Sequence, residues 1–151
     1  RIPHKLVLIG PQNKSVYQMM DIESSSSDII TPGFIPRPQL KYAYENADTF
    51  LYPSLYEGFG LPPLEAMACG TAVIGSDQGA LPEVLGDAAI LVDPTETTQI
   101  ADAISEIISD KETRTELIKK GLEHVQTYTW EQASATLYNV LLQASQKEVK
   151  K

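Results

Sequence analysis

The feature that most constrains the fold is a series of short apolar runs that alternate with stretches of helical periodicity. Each run is three or four residues long, and its apolar residues are consecutive instead of alternating with polar ones. Such continuous hydrophobicity is expected of parallel strands covered by helices on both faces. The runs lie at residues 6–9, 49–52, 72–74 and 89–92, and the shorter pair Ile29-Ile30 precedes a Thr31-Pro32-Gly33 turn.

The segments between the runs carry helix signals with readable ends. Pro62 and Pro63 suit the first positions of a helix, and Gly70 suits its end. Thr129 and Gln132 have the spacing of a capping box before a last helix. Two further helices are indicated by apolar stripes, one formed by Ile100, Ala103, Ile104, Ile107 and Ile108 and the other by Ile118, Gly121, Leu122 and Val125.

Alternating strands and helices predict an α/β, Rossmann-like domain. Its parallel sheet would carry helices on both faces, and extra helices would follow at the C-terminal end. Neither an internal repeat nor a linker divides the sequence, so residues 1–151 are interpreted as one domain. This length is sufficient for one hydrophobic core.

The composition restricts the kinds of ligand that the domain can bind. Lys plus Arg number 12 and Asp plus Glu number 20, which gives a net charge of −8 and argues against binding to nucleic acid. A bound anion would have to be held by local backbone N–H groups. The single Cys69 excludes an internal disulfide and fits a reducing cytoplasm. No apolar run reaches the ~20 residues of a transmembrane helix, and His4 and His124 have no cysteine or carboxylate at metal-ligand spacing.

Residues 53–65 carry the main functional signal. They follow the strand at 49–52, and ligands of open parallel sheets bind beyond the carboxyl ends of the strands. Gly58 and Gly60 allow the backbone to approach a ligand closely. The start of the next helix offers N–H groups to an anion such as a phosphate. Glu57 and Glu65 flank this loop, and two acceptor-only carboxylates suit a ligand rich in hydroxyl groups.

Simpler interpretations of both glutamates stay open at this point. Ser54 and Glu57 have capping-box spacing and could cap a turn. Glu65 could be only an acid in a first helical turn, which is worth ~0.3–1 kcal/mol. The pair is not favoured as the acid and base of a glycosidase, because sequence spacing does not supply the separations of about 5–5.5 Å or about 6.5–9.5 Å that this role needs.

The sequence Glu57-Gly-Phe-Gly-Leu-Pro-Pro-Leu-Glu65 closely resembles the motif of retaining, group-one glycosyltransferases of the GT-B fold, in which seven residues separate two glutamates. The likeness continues through residues 66–73. It extends to residues 6–10, 33–35, 46–48 and 128–131, so it covers nearly the whole sequence. The resemblance implies that the domain is the donor-binding, C-terminal lobe of such an enzyme.

The resemblance also implies a role for each residue of the loop. Glu57 would lie against the donor sugar as the catalytic candidate, with the amides of Gly58, Phe59 and Gly60 beside it. The amide of Leu61 would meet the diphosphate.

Further roles implied by the resemblance concern the nucleoside. The second glutamate of the family, here Glu65, binds the ribose hydroxyls, and the segment matching Phe34 and Ile35 sandwiches the nucleobase. A core position at the end of a strand is an equally good interpretation of Phe34. Thr71 lies near this pocket in relatives but could simply begin a strand, and Cys69 is interpreted as helix packing.

The activity implied by the resemblance is transfer of a sugar from a nucleotide-diphosphate sugar with retention of configuration. It needs no metal and no other cofactor, and no protein nucleophile is firmly established for it. The leaving phosphate helps to deprotonate the acceptor, while the protein positions the donor and stabilises charge. The acceptor, a glycan, lipid or small molecule, would bind in an amino-terminal lobe. The enzyme would be cytoplasmic, with peripheral membrane association left open for its full length.

The sequence departs from the family at its beginning. Relatives start this lobe one strand and one helix earlier, and that unit supplies an arginine and a lysine for the diphosphate. Residues 1–151 are therefore interpreted as a fragment that lacks this unit and the amino-terminal lobe, binds a nucleotide weakly and transfers nothing alone. The absent strand is a central one in the six-stranded order 3-2-1-4-5-6. If the gap closes, the five remaining strands take the order 2-1-3-4-5; the alternative is that a strand from another chain fills it.

A non-catalytic nucleotide- or partner-binding module on the same scaffold is the main alternative function. A dinucleotide oxidoreductase is disfavoured because no G-x-G-x-x-G follows the first strand. A receiver domain would need a phosphoacceptor aspartate at the end of a strand. Asp48 precedes its strand, and Asp77 has no acidic cluster around it.

Overall fold

The computed structural model describes residues 3–11 and 27–148. The chain falls into two compact units, Arg1–Ala43 and Tyr44–Lys151. The first unit holds a two-stranded sheet and the second a three-stranded one.

The sheet of the first unit consists of β1 (Leu6–Ile9) and β2 (Ile29–Gly33), which pair in parallel. The expected burial of β1 on both faces is wrong, because Leu6 and Val7 are 46% and 47% exposed. β2 also continues through Pro32, where the sequence predicts a turn. Proline is tolerated there because β2 pairs with only one neighbour in the described part of the chain, and an edge strand can lose one N–H donor.

The sheet of the second unit is parallel and has the order β3-β4-β5, with β3 at Phe50–Tyr52, β4 at Val73–Ser76 and β5 at Ile90–Val92. All four residues of the central strand β4 are buried, as the continuous apolar run predicts. Residues in register across the three strands are Leu51, Ile74 and Ile90 in one row, and Tyr52, Gly75 and Leu91 in the next.

The prediction of five parallel strands with helices is confirmed, but the strand order 2-1-3-4-5 is wrong. That order requires β1 to pair with β3, whereas within residues 3–11 and 27–148 these two strands belong to separate sheets.

Six α-helices lie in the described residues, and four of them match predicted segments of the second unit. Gly121, in the helix at Lys111–His124, packs closely on the helix at Leu61–Ala68. A Cβ at Gly121 would come within 3.1 Å of Met67 Cγ. The five-residue third helix is not predicted, because it is too short to show a period. The helices are α1 (Arg37–Glu45), α2 (Leu61–Ala68), α3 (Leu81–Leu85), α4 (Thr97–Ser109), α5 (Lys111–His124) and α6 (Trp130–Glu148), with 3₁₀ turns at Gly86–Ala88 and Val125–Thr127.

One hydrophobic cluster of the second unit lies between its sheet and helices α4 and α5. The stripe predicted for α4 is confirmed by Ala103 and Ile107, both fully or nearly fully buried. On α5 the buried face is centred on Leu117 and Gly121, while the predicted Leu122 is largely exposed. Burying one side chain such as Ile107 stabilises the fold by about 1.5–3 kcal/mol. The buried members of this cluster are Ala72, Ile74, Val92, Ala103, Ile107 and Leu117.

Helix α6 differs from the other helices because the side chains described along it are exposed. Its predicted start is confirmed, since the Gln132 N–H donates to Thr129 Oγ1 at 3.2 Å. Among the residues that the structure describes, neither α6 nor any other helix has the length and apolar character needed to cross a membrane. The large apolar side chains exposed on α6 are Trp130, Leu137, Tyr138, Val140, Leu141 and Leu142.

Candidate functional site

The candidate site is built on the bend at residues 53–60, which connects the end of β3 to the start of α2. Gly60 ends the bend as the N-cap of α2 with φ +91, a left-handed conformation that favours glycine. A Cβ at Gly60 would also collide with Cδ2 of Leu81 on α3. By contrast, Gly58 has open space where a Cβ would stand, so packing does not require glycine at this position.

The bend presents a run of backbone amides. Within the described residues, the N–H groups of Gly58, Phe59, Gly60 and Leu61 donate no hydrogen bond. The helix start contributes less than the sequence suggested, because the next two residues are prolines and carry no N–H. An anion at this site would therefore be held by amides of the bend, with that of Leu61 as the first donor of α2.

The Glu57 carboxylate is fixed by two hydroxyl groups. The Tyr52 hydroxyl donates to Glu57 Oε1 at 2.7 Å, and the Ser54 hydroxyl donates to the same oxygen at 2.9 Å. The side chain of Glu57 is half-buried. The capping box that the spacing of Ser54 and Glu57 suggests is not formed, because the Ser54 hydroxyl donates to the Glu57 carboxylate and lies 3.3 Å from the Tyr56 carbonyl oxygen.

The backbone of Glu57 is also held in place. Its carbonyl accepts from the Ala80 N–H at 3.3 Å. Gly79 packs so closely behind it that a Cβ at Gly79 would lie 3.0 Å from the Glu57 carbonyl oxygen and 3.1 Å from its nitrogen. Gly79 has φ +63, so both its conformation and this approach require glycine.

The Tyr52 phenol remains a hydrogen-bond donor over the whole physiological range. Burial, followed by the hydrogen bond to Glu57 and the charge of that carboxylate, raises the pKa of Tyr52 to about 12. At neutral pH the hydroxyl is therefore protonated and can donate to Glu57 without interruption.

Glu65 lies on the exposed side of α2, in its second turn. The expectation that it occupies the first turn is wrong, because the left-handed Gly60 starts the helix at Leu61. The interpretation of Glu65 as an acid stabilising the helix dipole loses its basis, since that effect falls off within the first turn. Burial, and then the negative charge of Glu65, raise the pKa of Tyr44 to about 12.

A row of three aromatic rings connects the surroundings of the two glutamates. Tyr44 meets Phe50 edge-on with ring centroids 5.3 Å apart, and Phe50 stacks on Tyr52 at 5.8 Å. Tyr52 at one end of the row thus bonds to Glu57, and at the other end the pKa of Tyr44 responds to Glu65.

A second aromatic contact supports the bend from the C-terminal side. The Phe59 ring, 44% exposed, meets Tyr128 edge-on at 5.8 Å. The Tyr128 hydroxyl donates to the carbonyl of Val84 at 3.1 Å, and His124 Nε2 lies 2.7 Å from the same oxygen. Because a carbonyl oxygen only accepts, Nε2 of His124 carries the proton in this contact.

Several of these supporting residues were missed by reasoning from the sequence. The sequence places Tyr52 only in a strand and Tyr128 only in the segment that resembles the family, and it assigns Tyr44 no part in the site. The one available signal was the position of Tyr52, a hydroxyl-bearing aromatic at the last residue of the strand that enters the bend. Gly79 and His124 gave no such signal, because their contacts come from distant parts of the sequence.

The predicted site residues fall into the two units. Glu57, Gly58, Phe59, Gly60, Leu61 and Glu65 come together in the second unit. The first unit contains Phe34 and Ile35, directly after β2. Phe34 is 82% exposed, so its interpretation as a core residue is wrong, and Ile35 is half-buried.

Thr71 has a structural partner. It is buried, and its hydroxyl donates to the Tyr44 carbonyl at 2.6 Å, immediately before β4. Cys69 is the C-cap residue of α2 and is half-buried. In the ranges that the structure covers, no three His, Cys, Asp or Glu side chains gather into a group that could hold a metal ion.

Comparison with known proteins places this arrangement in a family. Residues 1–124 match the family model described as glycosyl transferases group 1. The chain belongs to this family. It is 35% identical over 142 residues to the O-antigen chain mannosyltransferase B of Escherichia coli, a match that covers 92% of this chain and 37% of that protein.

Solved structures of glycosyltransferases have the same fold. The chain is similar to sucrose-phosphate synthase from Thermosynechococcus elongatus, with a TM-score of 0.78, 30% identity and coverage of 93% of this chain and 39% of that one. It is also similar to the C-terminal domain of a glycosyl transferase group 1 family protein from Francisella tularensis, with a TM-score of 0.64, 36% identity and coverage of 76% and 60%. This group 1 chain thus spans well under half the length of the mannosyltransferase and the synthase.

Proposed function

We propose that this group 1 chain is the donor-binding lobe of a retaining glycosyltransferase that transfers a sugar from a nucleotide-diphosphate sugar. The observation that carries the proposal is a run of four amides that donate no hydrogen bond within the described residues and that lie between Glu57, fixed at the end of β3, and Glu65 on α2. Amides suit a diphosphate and carboxylates suit hydroxyl groups. Membership of the group 1 family supports the same reading.

The diphosphate would be bound by backbone groups and not by a basic patch. The net charge of −8 opposes an anion, and the bend itself contains no lysine or arginine. Four consecutive amides at Gly58, Phe59, Gly60 and Leu61 would supply hydrogen bonds whose partners are ionised, the stronger class of hydrogen bond.

The two carboxylates would divide the ligand between them. Glu57, held at the exit of β3, would contact the donor sugar, and Glu65 on α2 would accept from the ribose hydroxyls. Phe34, which is exposed, and Ile35 beside it would contact the nucleobase. An exposed aromatic ring can stack on a base without first being released from a core.

The chemistry assigned to the lobe is electrostatic and positional. The bond from the sugar anomeric carbon to the diphosphate oxygen breaks, and a bond from that carbon to the acceptor oxygen forms on the same face. The proton of the acceptor hydroxyl passes to the leaving phosphate. The amides would stabilise the negative charge that develops on the diphosphate, while Glu57 would stabilise positive charge on the sugar. No protein nucleophile and no metal are needed in this scheme.

The remainder of the enzyme would supply the acceptor site. The mannosyltransferase and the sucrose-phosphate synthase are each more than twice the length of this chain, which covers 37% and 39% of them. We therefore assign residues 1–151 to the donor lobe alone. The glycan, lipid or small-molecule acceptor would bind to a second, amino-terminal lobe.

Titration of UDP, GDP and ADP into the chain by calorimetry tests donor binding. We expect one nucleotide to bind weakly, in EDTA as well as in Mg²⁺. Glu65→Ala should lower the affinity for that nucleotide about tenfold or more, as expected for loss of a hydrogen bond to a charged group.

The matched control is Glu106→Ala. Glu106 is likewise an exposed helical glutamate, on α4, and it lies outside the bend. Equal binding by the wild type and Glu65→Ala would replace the proposal with a generic phosphate site on a non-catalytic module. Absence of binding by all three nucleotides at millimolar concentration would reject it.

The retaining outcome is tested in an enzyme that carries this lobe together with its acceptor-binding lobe. NMR of the first product formed should show the anomeric configuration of the donor. A product of inverted configuration would contradict the retaining mechanism while leaving donor binding intact.

A further inference from the structure

We infer that Tyr52 and Ser54 are positioning residues that prepare Glu57 to receive the donor sugar through one of its two carboxylate oxygens. The inference rests on the proposed function and adds to it two residues that do not touch the ligand. Both hydroxyls donate to Oε1 of Glu57, at 2.7 Å and 2.9 Å.

The two bonds distinguish the carboxylate oxygens. A carboxylate oxygen accepts about two hydrogen bonds, so Oε1 is filled by Tyr52 and Ser54. Within the described residues, Oε2 accepts from neither hydroxyl. Oε2 is therefore the oxygen available to a sugar hydroxyl.

The donors are themselves fixed before any ligand arrives. Tyr52 is the last residue of β3, and its ring stacks on Phe50 with an angle of 24° between the planes. Ser54 follows two residues later, and its hydroxyl also lies 3.3 Å from the Tyr56 carbonyl. The carboxylate is thus tied to the end of the sheet and not to a free loop.

Fixing Glu57 in advance lowers the cost of binding. A glutamate side chain is among those that lose the most rotamer freedom when they are ordered. In this bend that loss accompanies folding and does not have to accompany donor binding, which is the general advantage of a preorganised site. The pKa of Tyr52, raised to about 12 by burial and by Glu57, keeps the donor proton in place at neutral pH.

A purely structural role for the two hydroxyls predicts a different result. If they only satisfy polar groups of the bend, their loss should weaken the bare nucleotide and the nucleotide sugar equally, because the amides for the diphosphate lie in the same bend. A positioning role for Glu57 predicts that only the sugar-bearing ligand is affected.

The experiment compares the chain's affinity for UDP with UDP-glucose, GDP with GDP-mannose and ADP with ADP-glucose. The readout is the ratio of the two dissociation constants for the pair that binds. Tyr52→Phe and Ser54→Ala should each reduce the advantage of the sugar form by about threefold to tenfold, the effect of one hydrogen bond. The bare nucleotide should change less than about twofold, within the range of distant surface substitutions.

Tyr56→Phe is the control, since Tyr56 lies in the same bend with an 82% exposed side chain. Circular dichroism checks that each variant folds. If Tyr52→Phe does not fold, Ser54→Ala still provides the test. Combining Tyr52→Phe with Glu57→Gln should add little to Glu57→Gln alone, because both act through one carboxylate.

The outcomes separate the inference from the function on which it rests. If Glu57→Gln lowers the ratio but Tyr52→Phe and Ser54→Ala leave it within twofold of wild type, the positioning role is overturned and donor binding stands. If no nucleotide binds, or Glu65→Ala binds as the wild type does, the proposed function fails and the inference fails with it.

Discussion

The bend at 53–60 and helix α2 each carry one glutamate, but they position it by different physical means. Glu57 has no regular backbone beneath it, so two hydroxyls and the close approach of Gly79 hold it. Glu65 is exposed and depends on the helix, whose opposite face packs into the core through Leu64, Ala66 and Met67. The bend is therefore specified by individual polar contacts, and the helix by apolar packing.

This difference separates the effects of mutation. Losing a hydroxyl at the bend should alter binding more than folding, because an individual hydrogen bond contributes only about 0.5–1.5 kcal/mol. Losing an apolar side chain below α2 should alter folding first, because core truncations cost several times more.

The largest expected effect tests the packing of α2. Met67 is 1% exposed and lies where Gly121 of α5 comes closest. Met67→Ala should lower the free energy of unfolding by about 2–5 kcal/mol, measured by urea denaturation. Leu61→Ala, at an exposed position of the same helix, should change it by less than about 0.5 kcal/mol. Similar losses in both variants would contradict the division between a packed and a free face of α2.

The next effect tests the junction between the two regions. Gly60→Ala should destabilise the chain by about 1–3 kcal/mol. The left-handed conformation of this position is unfavourable for alanine, and the added Cβ would collide with Leu81. Gly58→Ala has open space and should cost less than about 0.5 kcal/mol. Thermal unfolding of the two variants side by side measures the difference. A stable Gly60→Ala variant would show that the bend can rearrange without its left-handed glycine.

Alkaline pH tests the aromatic row formed by Tyr44, Phe50 and Tyr52. The folded-state pKa values of Tyr44 and Tyr52 are raised from 10.0 to about 12, so their stabilising contribution is present in full below pH 10 and is lost as the pH rises towards 12. The urea midpoint should therefore fall between pH 10 and 12, and fall less in Tyr52→Phe. Tyr56→Phe, which removes an exposed phenol from the same bend, is the control for loss of a hydroxyl group. If the urea midpoint of Tyr52→Phe falls with pH as steeply as that of the wild type, Tyr52 does not contribute to the loss of stability.

The smallest expected effect concerns the aromatic support behind Phe59. Tyr128→Phe removes one of two hydrogen bonds to the Val84 carbonyl and keeps the ring against Phe59. Because His124 still bonds to this carbonyl, the cost in unfolding free energy should be only about 0.5–1 kcal/mol. Nucleotide affinity should stay within about twofold of wild type. A large loss of affinity would mean that the hydroxyl, and not the ring, holds the bend.

The sequence predicts those parts of the molecule whose signal is local. Strand β4 and the buried stripe of α4 follow from consecutive or periodic apolar residues, and Thr129 caps α6 as its spacing indicates. The glycines and prolines of the bend likewise mark where β3 ends and α2 begins.

Other features depend on partners far away in the sequence, and local patterns do not reveal them. The apolar residues of β1 look buried in sequence, yet the strand is exposed because burial depends on what covers it. The spacing of Ser54 and Glu57 suggests a cap, but the hydroxyls of Ser54 and Tyr52 both donate to the Glu57 carboxylate instead. On α5, Leu117 is buried in the hydrophobic cluster and Leu122 is exposed, because the neighbouring helices pack against one face of α5 only.

The proline pair at the start of α2 has a consequence for motion. Proline fixes φ near −65°, so the first turn of α2 enters the folded state already shaped and cannot easily unwind. Any adjustment of the bend to an arriving ligand must then pivot at its glycines, and of these Gly60 is confined by Leu81. Gly58 is therefore the glycine of the bend that packing restricts least, whereas Gly60 and Leu61 are held at the start of α2.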